Sequence, residues 1–135
     1  MKRYHILVVD DEETTLRSMA MALEKAGYEV SEAPDGTAAL EKVKEAQAGE
    51  SQFDLLVSDI GLPTISGLEL LSRIEDMGIH LPSLIITGQV DEELVTRLEE
   101  KGGLVLPKPF PGSHLLELVE QVLGGSASGS EEQQQ

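Results

Sequence analysis

There is no cysteine among the 135 residues, which excludes disulfides, thiolate catalysis and thiolate metal sites. That absence suits a cytoplasmic setting, which is the expected location. Aromatic residues make up only 3% of the chain, too few for a platform on which nucleic-acid bases stack. Basic residues are also scarce: 10 against 25 acidic ones, for a formal net charge of -15. Such a field repels phosphate backbones and attracts cations and basic partner surfaces, so no direct nucleic-acid binding is expected. No apolar run reaches the roughly 18 residues needed to span a bilayer. The apolar stretch after Met1-Lys2-Arg3 is broken by Asp10-Asp11-Glu12-Glu13, too early for a signal peptide. A soluble protein with no membrane contact is expected. The length suits one domain, and a domain of this size buries roughly two-thirds of its unfolded-chain surface.

What is present is a regular alternation of apolar runs and helix-period segments. Strands are predicted at about Tyr4–Val9, Tyr28–Ala33, Phe53–Ser58, Ser83–Thr87 and Leu104–Leu106. Between and after them lie stripes at helical spacing. These are Leu16/Met19/Ala20/Leu23, Ala39/Leu40/Val43, Leu70/Leu71/Ile74/Met77, Leu94/Val95/Leu98 and Leu115/Leu116/Val119/Val122. Asp35, Ser66 and Asp91 read as helix caps, with Glu69 placed to complete a capping box with Ser66. Gly27, Gly78 and Gly102-Gly103 read as stops. Ala46 to Gln52 reads as a polar connection. Five β-α units argue an α/β fold, a doubly wound five-stranded parallel sheet of order 2-1-3-4-5. Residues 1–124 are expected to form one domain and 125–135 a disordered polar tail or linker stub.

Four chemical groups fall near the C-terminal ends of four of these strands. Asp10 and Asp11 close the first, Asp59 the third, Thr87 the fourth, and Lys108 follows the fifth. Open parallel sheets bind ligands in the crevice outside those ends. Each residue alone has an ordinary explanation: Asp10-Asp11 as a helix cap, Asp59 as a turn former, Lys108 as a solvated loop lysine. Together, in a topology that gathers them, they make a place to hold a divalent cation and handle a phosphoryl group. Crowded carboxylates raise one another's pKa unless a cation sits among them, and Mg²⁺ is the usual one beside phosphate.

The chain resembles the receiver domain of two-component response regulators over about Tyr4 to Leu123. The resemblance rests on Val8-Val9-Asp10-Asp11-Glu12, Asp59-Ile60-Gly61-Leu62-Pro63 with Gly67-Leu68-Glu69-Leu70, Ile85-Ile86-Thr87-Gly88 and Pro107-Lys108-Pro109-Phe110. It implies the flavodoxin-like receiver fold and a signalling module, not an enzyme beyond assisting its own phosphorylation and dephosphorylation. Asp59 would be the phosphoacceptor of a phosphorelay, supplied by a sensor histidine kinase or phosphotransfer protein. Asp11, Asp59 and the Gly61 carbonyl would ligate Mg²⁺, with Asp10 acting largely through water. Thr87 and Lys108 would contact phosphoryl oxygens, and Lys108–Pro109 would be a cis bond. Output would pass to a downstream protein target, an output domain outside this chain, or a second copy as a homodimer.

Two positions depart from the family pattern, and two more fall where the family varies. Val105 stands where receivers usually carry an aromatic that swings inward with the threonine, and valine has one stiff torsion. Gly88 replaces a common alanine and should loosen its loop. Gly61 and Gln89 occupy positions that tune dephosphorylation, and Gly61 has no side chain to shield a phosphoryl group. A phospho-state that is not unusually long-lived is expected. The runner-up is a receiver-like interaction module that is not phosphorylated. A hydrolase with an aspartyl-phosphate intermediate would want a carboxylate near Gly61, and a flavin module would want ring-stackers this chain hardly has.

Overall fold

Short runs rich in Leu, Ile and Val form strands, and segments with a 3.6-residue apolar period form helices. In chain order these are β1 (His5–Val9), α1 (Glu13–Lys25), β2 (Glu29–Ala33), α2 (Gly36–Ala48), β3 (Leu55–Asp59), α3 (Gly67–Asp76), β4 (Ser83–Thr87), α4 (Glu92–Glu100), β5 (Leu104–Pro107) and α5 (Gly112–Gly124). The structure, a computed structural model, describes residues 3–49 and 52–124. The expected tail at 125–135 lies outside the described residues.

All strand pairs are parallel, and the order is β2-β1-β3-β4-β5. This is the flavodoxin-like doubly wound sheet the alternation implies. Successive strand residues point to opposite faces, and the core divides accordingly. Ile6, Val8, Leu55, Val57, Leu84 and Ile86 meet Leu16, Met19 and Leu23 of α1 and Leu115, Val119 and Leu123 of α5. On the other face Leu7, Val9 and Leu56 meet Ala39, Leu40 and Val43 of α2 and Leu70 and Ile74 of α3. A third cluster joins Ile85 to Leu71, Leu94 and Leu98, with Val105 packed beside it. Each fully buried Leu, Ile or Val contributes about 1.5–3 kcal/mol against conformational entropy.

The caps act as read from the sequence. Asp35 accepts from the Ala38 N–H at 2.8 Å, Ser66 from the Glu69 N–H at 3.1 Å and Asp91 from the Leu94 N–H at 2.8 Å. The Glu69 carboxylate, however, pairs with Arg73 at 2.7 Å.

Several strand ends shift by one residue, and two boundaries differ by more from the sequence reading. Helix α2 runs on to Ala48, through a stretch expected to be connection. Glu45, Ala46, Gln47 and Ala48 are all helix-compatible, and nothing interrupts them before Gly49. Strand β3 begins at Leu55, while Phe53 lies just outside it with its ring 4.3 Å from that of His5. The topology brings the C-terminal ends of β1 and β3 side by side, and that crevice holds the candidate site.

Candidate functional site

Strand geometry delivers the acidic groups. Asp59 is the last residue of β3, one position beyond the Val9–Ser58 pair, and Asp10 follows β1 directly. Both are nearly enclosed, at 7% and 2% exposure, whereas Asp11 is exposed. Carboxylate oxygens of Asp10, Asp11 and Asp59 all lie within 4.8 Å of one another. Three such oxygens at that spacing form a hard donor set suited to Mg²⁺.

The neighbouring contacts fix these side chains. Asp10 Oδ1 accepts from the Glu12 N–H at 2.9 Å, at the entry to α1. Asp59 Oδ1 accepts from the Gly61 N–H at 3.0 Å, and Asp59 Oδ2 accepts from Lys108 Nζ at 2.8 Å. The Ser58 hydroxyl donates to the Asp59 carbonyl at 2.9 Å, satisfying a buried hydroxyl beside the site. Behind Asp59, Gly67 opens α3 so close that a Cβ there would stand 2.6 Å from the Asp59 carbonyl oxygen. No side chain fits in that gap.

Lys108 arrives from the far edge of the site. Its N–H donates to the Thr87 carbonyl at 2.9 Å, extending the β4–β5 pairing, and the Lys108–Pro109 bond is cis. The hydrogen bond to Asp59 chiefly holds the Lys108 ammonium above its usual 10.5, with burial opposing. The lysine is therefore charged at neutral pH. Its contribution to stability is present below the ordinary lysine value and is lost only as pH rises through the folded one.

Burial is the main cause holding the Asp10 carboxyl above its ordinary 3.8, and the charges of Asp59 and Asp11 push the same way. The Glu12 hydrogen bond and the Lys108 charge oppose it. An acid so raised weakens folding as pH climbs from 3.8 through its folded value. A cation among the carboxylates removes that repulsion. The donor set fits one.

Thr87 ends β4 and is buried, yet its hydroxyl is engaged within its own loop. It donates to the Gln89 carbonyl at 3.2 Å and accepts from the Gln89 N–H at 3.1 Å. Gly88 lies exposed between them. Val105 pairs with Ile85 and packs on the α3–α4 cluster, on the sheet face away from α1 and α5.

A groove of about 580 Å³ opens beside the carboxylates, lined by Asp10, Asp11, Asp59 and Lys108 and running between α1 and α5 past Ser18 and Phe110. The structure thus brings together Asp10, Asp11, Asp59, Gly61 and Lys108. It leaves Thr87, Gln89 and Val105 outside that groove. The sequence reading assigns no role to the Glu12 N–H or the close approach of Gly67. A glycine next to a strand-end loop is the only local signal for the latter.

Among the described residues no helix is long and apolar enough to cross a membrane. The family model of the response regulator receiver domain matches residues 6–120. The chain is similar to the response regulator receiver protein CpdR of Brucella abortus, 35% identical over 123 residues that cover 90% of this chain and 94% of that protein. It is 31% identical over 122 residues to the transcriptional regulatory protein FixJ of Rhizobium meliloti, covering 90% of this chain and 57% of that one. It spans about half the length of several curated relatives it matches. A chain of the CheX–CheY–BeF3–Mg²⁺ complex from Borrelia burgdorferi superposes with a TM-score of 0.78 at 26% identity, covering 88% of each chain.

Proposed function

Because the chain belongs to the response regulator receiver domain family of two-component signalling, we propose that it is a phosphoacceptor switched by phosphorylation of Asp59. The donor is a sensor histidine kinase or phosphotransfer protein. The observation that carries this reading is the convergence of Asp10, Asp11 and Asp59 on one point with Lys108 Nζ 2.8 Å from Asp59. Asp11, Asp59 and the Gly61 carbonyl would hold Mg²⁺, with Asp10 acting largely through water. When bound, the cation neutralises the carboxylates and draws charge from phosphoryl oxygens.

An Asp59 carboxylate oxygen forms the new bond to phosphorus as the bond to the donor histidine nitrogen breaks, and that nitrogen leaves with the electron pair. Little covalent help is needed, because the transition state is loose and charge neutralisation dominates. Lys108 releases Asp59 Oδ2 and takes up a phosphoryl oxygen instead. Thr87 reaches another oxygen once its hydroxyl leaves Gln89. The acyl phosphate carries about two negative charges where the carboxylate carried one, and partner contacts respond to that increment at the β3 end.

The test is incubation with Mg²⁺ and acetyl phosphate followed by intact mass. Gain of one phosphoryl group, lost in Asp59→Ala and without Mg²⁺, is the expected result. An unchanged mass in the wild-type protein favours the runner-up, an interaction module that is not phosphorylated. The engaged Thr87 hydroxyl and the packed Val105 are what speak for that alternative.

A further inference from the structure

The loop from Ile60 to Ser66 carries Gly61 and separates β3 from α3, yet it contains no regular structure of its own. What holds it is the turn between β2 and α2, on the edge of the sheet. Ile65 and Leu62 are buried among Ala33, Ala39 and Leu40. Gly36, buried at the start of α2, lies directly under Ile65. A Cβ on Gly36 would stand 2.3 Å from Ile65 Cγ1 and 2.8 Å from the Ile65 carbonyl oxygen. The second of those atoms is backbone and cannot rotate away. Beside it the Thr37 hydroxyl donates to the Thr64 hydroxyl at 3.0 Å. The same turn also reaches the other acidic loop, because the Ala33 carbonyl accepts from the Asp10 N–H at 3.3 Å.

We infer that residues 33–37, which supply no ligand themselves, set the geometry of the cation site, with Gly36 a positioning residue acting through Ile65 on the Gly61 loop. The inference rests on the Mg²⁺ reading above. Any side chain at position 36 lifts Ile65 and carries the Gly61 carbonyl out of register with Asp59. Cation affinity suffers while the carboxylates themselves are untouched. Supporting groups that hold a ligand in place are typically worth about 10- to 100-fold in metal affinity.

The experiment is calorimetric titration with MgCl2 of the wild-type protein, Gly36→Ala and Gly27→Ala, with the Gly61 amide followed by NMR. Gly27 is a matched control for strain. It has a φ of +103°, a Cβ added there would meet nothing within 4 Å, and it lies at the opposite end of the sheet from the site. Gly36→Ala should bind Mg²⁺ about tenfold more weakly, shift the Gly61 amide, and recover its phosphorylation rate at saturating Mg²⁺. Gly27→Ala should melt lower and bind Mg²⁺ like wild type. Equal affinity in Gly36→Ala and wild type overturns the inference, as does equal weakening by Gly27→Ala. If Gly36→Ala does not fold, Ile65→Val decides: about threefold weaker binding supports the inference, and unchanged binding overturns it. A wild-type protein that does not bind Mg²⁺ removes the cation reading itself, and this inference with it.

Discussion

At the ends of β1 and β3, Asp59 already accepts hydrogen bonds from Lys108 Nζ at 2.8 Å and from the Gly61 N–H at 3.0 Å. At the end of β4, by contrast, the Thr87 hydroxyl is bonded to the backbone of Gln89, and Val105 on β5 is packed against Ile85 and the α4 cluster. One half of the crevice is assembled for charge, and the other is occupied with its own packing. Binding and response therefore need not be built from the same contacts. On the proposed reading, capture of a phosphoryl group starts from groups already in place. On the same reading, a response through Thr87 breaks the Thr87–Gln89 pair first, a step worth about 1 kcal/mol per hydrogen bond.

The division is tested most severely by removing the acceptor. Asp59→Asn keeps the shape and one oxygen but loses the nucleophilic carboxylate, so no phosphoryl transfer is expected, as read by intact mass. Lys108→Met comes next. Losing a preorganised cation beside developing charge should slow phosphorylation by about 100-fold. Stability should fall by less than about 1 kcal/mol, since the lysine side chain is 42% exposed and surface pairs contribute little. A rate within a few-fold of wild type would mean that the 2.8 Å contact with Asp59 has no part in the chemistry.

Asp10→Asn has an intermediate effect with opposite signs on stability and binding. The raised Asp10 carboxyl weakens the metal-free fold at neutral pH. The variant should therefore be more stable by about 1 kcal/mol without Mg²⁺. The gap should narrow as pH falls through the folded value and close below 3.8, where the wild-type group is protonated in both states. Mg²⁺ should reverse the order, because the wild type gains more from ligand binding. Thermal melts with and without Mg²⁺ across pH check both signs. A variant less stable than wild type in the absence of Mg²⁺ would show that the Glu12 hydrogen bond outweighs the burial of the charge.

The acidic half was legible in the sequence for a plain reason. Its residues sit at strand ends, and the alternation of strands and helices fixes where strand ends meet. Asp10 and Asp59 are separated along the chain but adjacent through the 2-1-3-4-5 order, and Lys108 reaches Asp59 past the end of β4. What the sequence could not show is which partner each polar group takes. Thr87 can reach into the crevice or into its own loop, and only the path of Gly88 and Gln89 decides between them. The hold of Gly36 on Ile65 is equally silent, because it joins two loops that no periodicity relates. Helix α2 runs past its expected end for the opposite reason: helix propensity at Ala46–Ala48 is there to read, and polarity alone does not mark a connection.

The mildest change falls on the half that is not yet engaged. Thr87→Val removes the hydroxyl while keeping most of the volume of a residue that is 4% exposed. Both hydrogen bonds to Gln89 go with it, leaving the Gln89 N–H to find water, at a cost of about 1 kcal/mol. Because the hydroxyl lies outside the groove that holds Asp59, the initial rate of phosphorylation should change by less than about threefold. The difference should appear afterwards, in amide exchange across Gly88 to Asp91. In the wild type, exchange there should change on addition of beryllofluoride and Mg²⁺ as the Thr87–Gln89 pair opens, and in the variant it should be fast in both conditions. A rate as low as that of Lys108→Met would place Thr87 in the assembled half from the outset, and the division between capture and response would fail.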